Sequence, residues 1–408
     1  EMCIRDRAQA DALSRFFLEN GNHPVRQAEA KITATNKALD ELKTSYENTM
    51  IFRERAEPKK AHILIRGEYD KIGEAVQRAV PAMLPPMPTD APNNRLGLAQ
   101  WLVSGNHPLT ARVWVNRAWE RFFGAGLVRT TENFGSQAEW PTHPELLDWL
   151  GSEFVALKWD MKAMHRLMVT SDTYRQSSKI TPEQLEKDPD NRWLSHATRM
   201  RLTGEQLRDQ ALAVSGLLVE KIGGPSVKPY MPAAVWDETS VYGDMRNYQA
   251  DKDEGLYRRS LYTIWKRTAA PPTMLLFDSP NREICTVKRS RSNTPTQALS
   301  LLNEITFVEA ARKLAEQMLV SGGASPEERI RWGFQRINAR QPDAFELERL
   351  TSNLKKRLER YSKDTEAAQK LLKVGESKPN PALNISELAA YTVTANVLLN
   401  LDETVNRN

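Results

Sequence analysis

A mainly α-helical, multi-helix globular fold, with a few short β-strands and long ordered Pro/Gly-rich loops, is predicted by three observations. Apolar residues recur at three-, four- and seven-residue steps over much of the 408-residue chain. Capping signatures stand directly before several of these stretches. Only AHILIR (61–66) and RRSLYTIWKR (258–267) carry the β-branched or alternating character of strands. Apolar residues make up 40% of the chain and ten are tryptophan, enough for an extensive core.

Residues 8–55 read as two helices joined at GNHP, with Ile32, Leu39, Leu42 and Tyr46 forming a narrow apolar stripe among Lys and Glu. The strand at 61–66 leads into a strap, VPAMLPPMPTDAPNN, whose prolines lack N–H groups and so preclude regular structure. From Arg95 the chain is densely helical. Asn106–His107–Pro108 opens a helix that runs to Phe123 and stops at Gly124 and Gly126. Thr142 with Glu145, and Thr203 with Gln206, read as capping boxes, in which the first side chain caps the helix and the second reaches back. Residues 223–256, rich in Gly, Pro, Tyr and Trp, read as a long ordered loop, and 258–267 as a strand with positive charge at both ends. A third box, Thr294 with Gln297, starts a helical region that continues almost to the end. A polar break at 373–381 precedes the last helix, SELAAYTVTANVLLN. The expected organisation is a helical hairpin at 1–60, the strand and strap at 61–94, and a helical domain at 95–408. The chain opens on Glu1 and not on Met, as a fragment would, and 1–7 read as a scar.

Composition excludes several function classes. A formal charge of +5 is small for this length and lacks the dense basic stripe of a nucleic-acid binder. Cys3 and Cys285 supply neither a disulfide framework nor a cysteine-rich metal site. With no HExxH or HxH, no metal site is predicted, and without CxxCH no haem c is expected in this chain. No run of apolar residues is long enough to span a membrane.

Two constellations could carry chemistry. On the helix ending at Phe123, a wheel of about 100° per residue places Arg112, Asn116 and Glu120 on or beside the apolar side. Glu139 and His143 stand in the loop that follows. These five form either a polar site near Arg112, Asn116 and His143, or a structural network that pairs a buried guanidinium. The second constellation is cationic. Between Tyr257 and Arg291 eight cations, Arg258, Arg259, Lys266, Arg267, Arg282, Lys288, Arg289 and Arg291, face only Asp278 and Glu283. Asn293 and Thr294 then lead into a helix N-terminus, whose dipole and unpaired N–H groups favour an anion. Thr294 and Gln297 are explained by capping alone; Lys288, Arg289 and Arg291 are not.

Five segments together carry a resemblance: RLGLAQWLVSGNHPLTARVWVNRAWERFFGAGLVRTTENFGSQAEWPTHPELLDWL, VTSDTYRQSS, IGGPSVKPY, YRRSLYTIWKRTAAPPTMLLFDSPNRE and RSRSNTPTQALSLLN. In this order, over roughly residues 60–408, the chain resembles the DUF1553 (PSD1) family of planctomycete-type proteins. The resemblance implies an extracytoplasmic setting, periplasmic or extracellular, and a parent protein with upstream cytochrome c and DUF1549 domains. It also implies that the hairpin is the tail of that upstream region. Haem c would then belong only to that upstream part. It implies no catalytic residues. The expected role is an accessory or binding module whose basic surface takes an anionic polysaccharide or the upstream cytochrome domain. The alternative is a carbohydrate-active hydrolase or oxidoreductase module.

Overall fold

A computed structural model describes residues 7–21, 23–46, 48–232, 235–236, 248–266 and 268–407. It is mainly helical, with two small two-stranded sheets among the described residues. The chain divides into two compact units, residues 1–100 and 101–408.

The first unit holds helices α1 (Arg7–Asn20) and α2 (Pro24–Ser45), an antiparallel hairpin of β1 (Ala61–Leu64) and β2 (Ile72–Val76), and most of α3 (Arg95–Leu102). The break at GNHP has a local cause: the His23 ring accepts the Val25 N–H at 3.1 Å and Pro24 occupies the first helical turn. The second helix stops at Ser45, so the helical reading of 8–55 was too long by about a quarter of its span. Glu54 pairs with Arg95 at 2.7 Å within this unit.

The second unit contains α4 (Thr110–Phe123), α5 (Pro144–Ala156), α6 (Met161–Thr170), α7 (Pro182–Lys187), β3 (Met200–Arg201), α8 (Gly204–Val214), α9 (Glu254–Tyr257), α10 (Pro272–Leu276) and α11 (Pro295–Asn303). It continues through α12 (Ile305–Ser321), α13 (Pro326–Asn338), α14 (Ala344–Lys363), α15 (Thr365–Leu372), α16 (Ile385–Leu399), α17 (Asp402–Val405) and β4 (Asn406–Arg407). Helix α16 is apolar on every side, as a helix buried all round must be, and it packs on α12, α14 and α15. Around it lies the larger core, which includes Leu314, Met318, Phe334, Tyr391 and Leu398. A second core joins α4, α5 and α6, where Trp114 stacks on Phe154 at 4.1 Å and Trp119 on Phe123 at 3.8 Å. Strand β3 pairs antiparallel with β4, which brings the end of the chain back to residue 200.

Two local expectations are corrected. Residues 258–266 form no strand: a 3₁₀ turn at Ser260–Tyr262 interrupts them, and isolated bridges remain, Arg258 to Val219, Thr263 to Val227 and Lys266 to Ala269. The cause is buried polar chemistry that alternation cannot show. Arg208, 5% exposed, donates to the carbonyls of Leu256 and Arg258, while Asp209 accepts the Ser260 N–H at 2.7 Å. The box at Thr142 is also absent. His143 is the N-cap of α5, and the Thr142 hydroxyl turns away to the Leu127 carbonyl. The Thr203 box has both of its bonds. At Thr294 the cap is present, but Gln297 turns elsewhere.

One buried hub holds the polar break before the last long helix. Glu309 on α12, 0% exposed, accepts from Tyr230 at 3.0 Å, Tyr257 at 2.9 Å and the Ser377 N–H at 2.6 Å. Burial and this carboxylate push the Tyr257 hydroxyl up to about 12. Gly375 has a φ of +88°, and an added Cβ would stand 2.3 Å from the Glu309 side chain. Gly375→Ala should therefore cost roughly 2–5 kcal/mol in urea unfolding, combining left-handed strain with a displaced buried carboxylate. Gly223→Ala, at φ +80° with nothing within 4 Å of the new Cβ, should cost only the strain, about 1–2 kcal/mol.

Candidate functional site

The residues singled out in the sequence fall into separate environments. Arg112, Asn116 and Glu120 share a helix face but meet different partners. Arg112 pairs with Asp148 at 2.6 Å and donates to the Pro108 carbonyl at 2.6 Å. Asn116, fully buried, bonds both the N–H and the carbonyl of Val128, at 2.8 and 3.0 Å. Glu139 faces Arg192 at 3.6 Å, and the His143 ring meets the Thr142 hydroxyl at 3.0 Å.

The cations also disperse. Arg258 is buried, donates to the carbonyls of Lys221, Gly223 and Pro225, and stacks on Tyr262 at 3.8 Å. Arg259 stands 3.8 Å from Asp209, and Lys266 lies over the Trp236 ring at 5.0 Å. Arg267 lies outside the described residues. Asn293 is exposed, and the Thr294 hydroxyl caps α11.

Glu120, Lys288, Arg289 and Arg291, drawn from both constellations, meet in one cleft. Three local devices build it. Helix α4 ends at Gly124 with a φ of +87°, where a Cβ would lie 2.7 Å from Thr198, so the last turn presents Glu120 and Arg121 beside an open backbone. Asp278 accepts both the N–H and the hydroxyl of Ser292, which pins the KRSR segment. Gln297, fully buried at the start of α11, donates to the Leu276 carbonyl and the Ser292 hydroxyl, and its Oε1 accepts from Arg201 at 3.3 Å. The concavity measures about 280 Å³ and opens towards an adjoining one lined by Tyr174 and Arg407.

Six cations line these two concavities, Arg121, Arg201, Lys288, Arg289, Arg291 and Arg407, against Glu120, Glu205 and Asp278. Two of the three carboxylates are already engaged, Asp278 by Ser292 and Glu205 by Arg289 through two 3.0 Å bonds. Arg201 and Arg291 form no ion pair among the described residues, and Arg291 reaches only the Gly124 carbonyl at 3.3 Å. Burial pushes both guanidinium pKa values down, offset for Arg291 by the field of Glu120. Arginine nevertheless stays protonated, so positive charge is held here at a desolvation cost with no carboxylate bonded to it. The carboxylate of Glu120, a residue 9% exposed, makes no hydrogen bond among the described residues.

Burial raises the Glu205 carboxyl, but its own N–H, Arg289 and Thr203 together bring it below the ordinary 4.5. A depressed folded-state value contributes stability above the unfolded value and loses it as pH falls through the folded one. Wild type should thus exceed Glu205→Gln in stability at neutral pH. The gap should close as pH falls below the carboxylate range, which paired urea titrations would read.

Arg121, Arg201 and Arg407 are absent from the sequence reading. Arg201 had a weak signal, RMR directly before the Thr203 box. Arg407 had none, because its place depends on β3 pairing with β4 and on contacts to Tyr174 and the Phe122 carbonyl.

The PSD1 family, described as a protein of unknown function (DUF1553), matches residues 94–354, well over half of the chain. The chain belongs to the PSD1 family. No curated protein and no solved structure matches it. The PSD1 match contains every cleft residue named above except Arg407. Among the described residues of this PSD1 chain, no group of three or more His, Cys, Asp or Glu could hold a metal ion. No helix among them is long and apolar enough to cross a membrane.

Proposed function

We propose that the chain is a binding module of an extracytoplasmic protein, and that the cleft between α4, β3 and the 287–293 segment takes an acidic group of an anionic polysaccharide. The observation that carries this reading is that two guanidinium groups in a preformed concavity, Arg201 and Arg291, form no ion pair among the described residues. A partly desolvated guanidinium without a carboxylate partner is disfavoured, and a bound sulfate or carboxylate offsets that cost. Glu120 suits a hydroxylated ligand, because a free carboxylate accepts hydrogen bonds from sugar hydroxyls. Arg112, Asn116 and His143 spend polar atoms on Asp148, Val128 and Thr142, which favours binding over a polar catalytic centre there.

The test is retention of the purified chain on dextran sulfate, heparin and neutral dextran. Ionic strengths of ~0.01 M and ~1 M give screening lengths of about 30 and 3 Å. Retention on the sulfated polymers at low salt, lost at high salt and absent on dextran, is expected. Equal retention on dextran, or none on any polymer at low salt, would overturn the reading.

A further inference from the structure

A third concavity, of about 410 Å³, shares Gly124 with the cationic cleft. The Lys288 ammonium, on the cleft side, donates to the Arg129 carbonyl, on the basin side, at 3.2 Å, so the two abut. The basin's inner wall is apolar and aromatic, with Trp119, Phe123 and Leu194. Polar groups with spare capacity stand above it. The Arg129 guanidinium makes one long contact, 3.4 Å to the Asp190 carbonyl, and no ion pair among the described residues. The buried Oδ1 of Asn191 has no hydrogen-bond partner, although its amide nitrogen donates to the His196 carbonyl at 2.8 Å.

Two tryptophans lie next in the chain to residues at this rim. Trp140 is 81% exposed and Trp193 69%. They directly follow Glu139 and Arg192, which face each other at 3.6 Å. Their backbones are fixed. Asp188, 7% exposed, accepts the N–H groups of Arg192 and Trp193 at 2.7 and 2.8 Å. On the other side, the Thr130 hydroxyl accepts the Glu139 N–H at 3.2 Å. Exposed indoles on a fixed backbone offer electron-rich faces.

We propose that this basin is a saccharide subsite, in which Trp140 and Trp193 stack on the C–H faces of a sugar ring. The Asn191 Oδ1 accepts a ring hydroxyl, and the Arg129 guanidinium donates to another. The ligand is an acidic oligosaccharide that runs from this basin into the Arg201–Arg291 cleft. The proposal rests on the anion-binding reading above and gives that site its ligand class. A sugar satisfies the basin because each hydroxyl both donates and accepts, matching an orphan acceptor beside a spare donor over an apolar floor. A DNA backbone, which carries no hydroxyl, offers the Asn191 oxygen no such donor.

The experiment follows tryptophan fluorescence and calorimetry with inorganic sulfate and with hexasaccharides of galactan, fucan and glycosaminoglycan backbones, each sulfated and desulfated. At least one desulfated hexasaccharide should quench indole fluorescence weakly, and its sulfated form should bind at least tenfold more tightly. Trp140→Ala with Trp193→Ala should abolish the quench and lower affinity for the sulfated form at least tenfold, leaving sulfate binding unchanged. Arg291→Ala should do the reverse, losing sulfate while retaining the desulfated sugar. If sulfate and sulfated sugars bind but the double tryptophan variant matches wild type, the subsite is overturned while the cleft stands. If the desulfated sugar binds and sulfate does not, the cleft reading fails alone. Absence of quenching by every hexasaccharide also overturns the subsite and leaves the rim to a protein partner.

Discussion

Arg312→Met is expected to lower the free energy of unfolding by about 3–5 kcal/mol, the usual cost of removing one partner from a buried ion pair. Arg312 on α12 is 1% exposed and lies between Glu316, at 3.2 Å, and Glu309, at 3.7 Å. It also donates to the Ser377 carbonyl at 2.5 Å and the Ser377 hydroxyl at 2.8 Å. Methionine preserves most of the side-chain length, so the loss is electrostatic and not a cavity. Two buried carboxylates are then left with hydroxyls, N–H groups and the single ammonium of Lys313. Urea unfolding of Arg312→Met, Glu309→Gln and the double variant measures the coupling, expected at about 0.5–3 kcal/mol for residues in one network. Strict additivity of the two single effects would show that Arg312 and Glu309 do not act together.

The second large effect concerns binding. Arg201→Ala with Arg291→Ala should weaken binding to a sulfated polymer about a hundredfold, since each charge-assisted bond contributes roughly 1.5–3 kcal/mol and 1.4 kcal/mol is tenfold. Each single variant should lose about tenfold, and the dependence on salt should flatten with every cation removed. Stability distinguishes this role from a structural one. Neither arginine forms an ion pair among the described residues, and burial disfavours the charge of both. The double variant should therefore melt at the same temperature as wild type or higher, the trade-off seen where a site is held ready for a ligand. A lower melting temperature with unchanged polymer retention would assign the two arginines to the scaffold.

These effects could be anticipated from the sequence to very different degrees. Helix starts such as Thr203 with Gln206 were legible, because a capping box is closed within three residues and needs nothing distant. The box at Thr142 was misread: a contact 15 residues away, to the Leu127 carbonyl, took its hydroxyl. The strand reading of 258–267 failed for a similar reason. Its alternating pattern was outweighed by Arg208, Asp209 and Arg258, whose buried polar atoms demanded backbone partners.

The sequence by itself determined the helical class, several helix starts such as Thr203, the family, and that Lys288, Arg289 and Arg291 exceed what capping requires. Those are properties of composition and of neighbours a few residues apart. Only the tertiary structure decided which cations remain unpaired. Arg258 and Arg291 look alike in the chain, yet one spends its guanidinium on loop carbonyls and the other faces a cleft. Arg201 and Arg407 enter that cleft because β3 pairs with a strand some two hundred residues later. Charge neutralisation depends on distances of a few ångström, and long-range folding alone sets them.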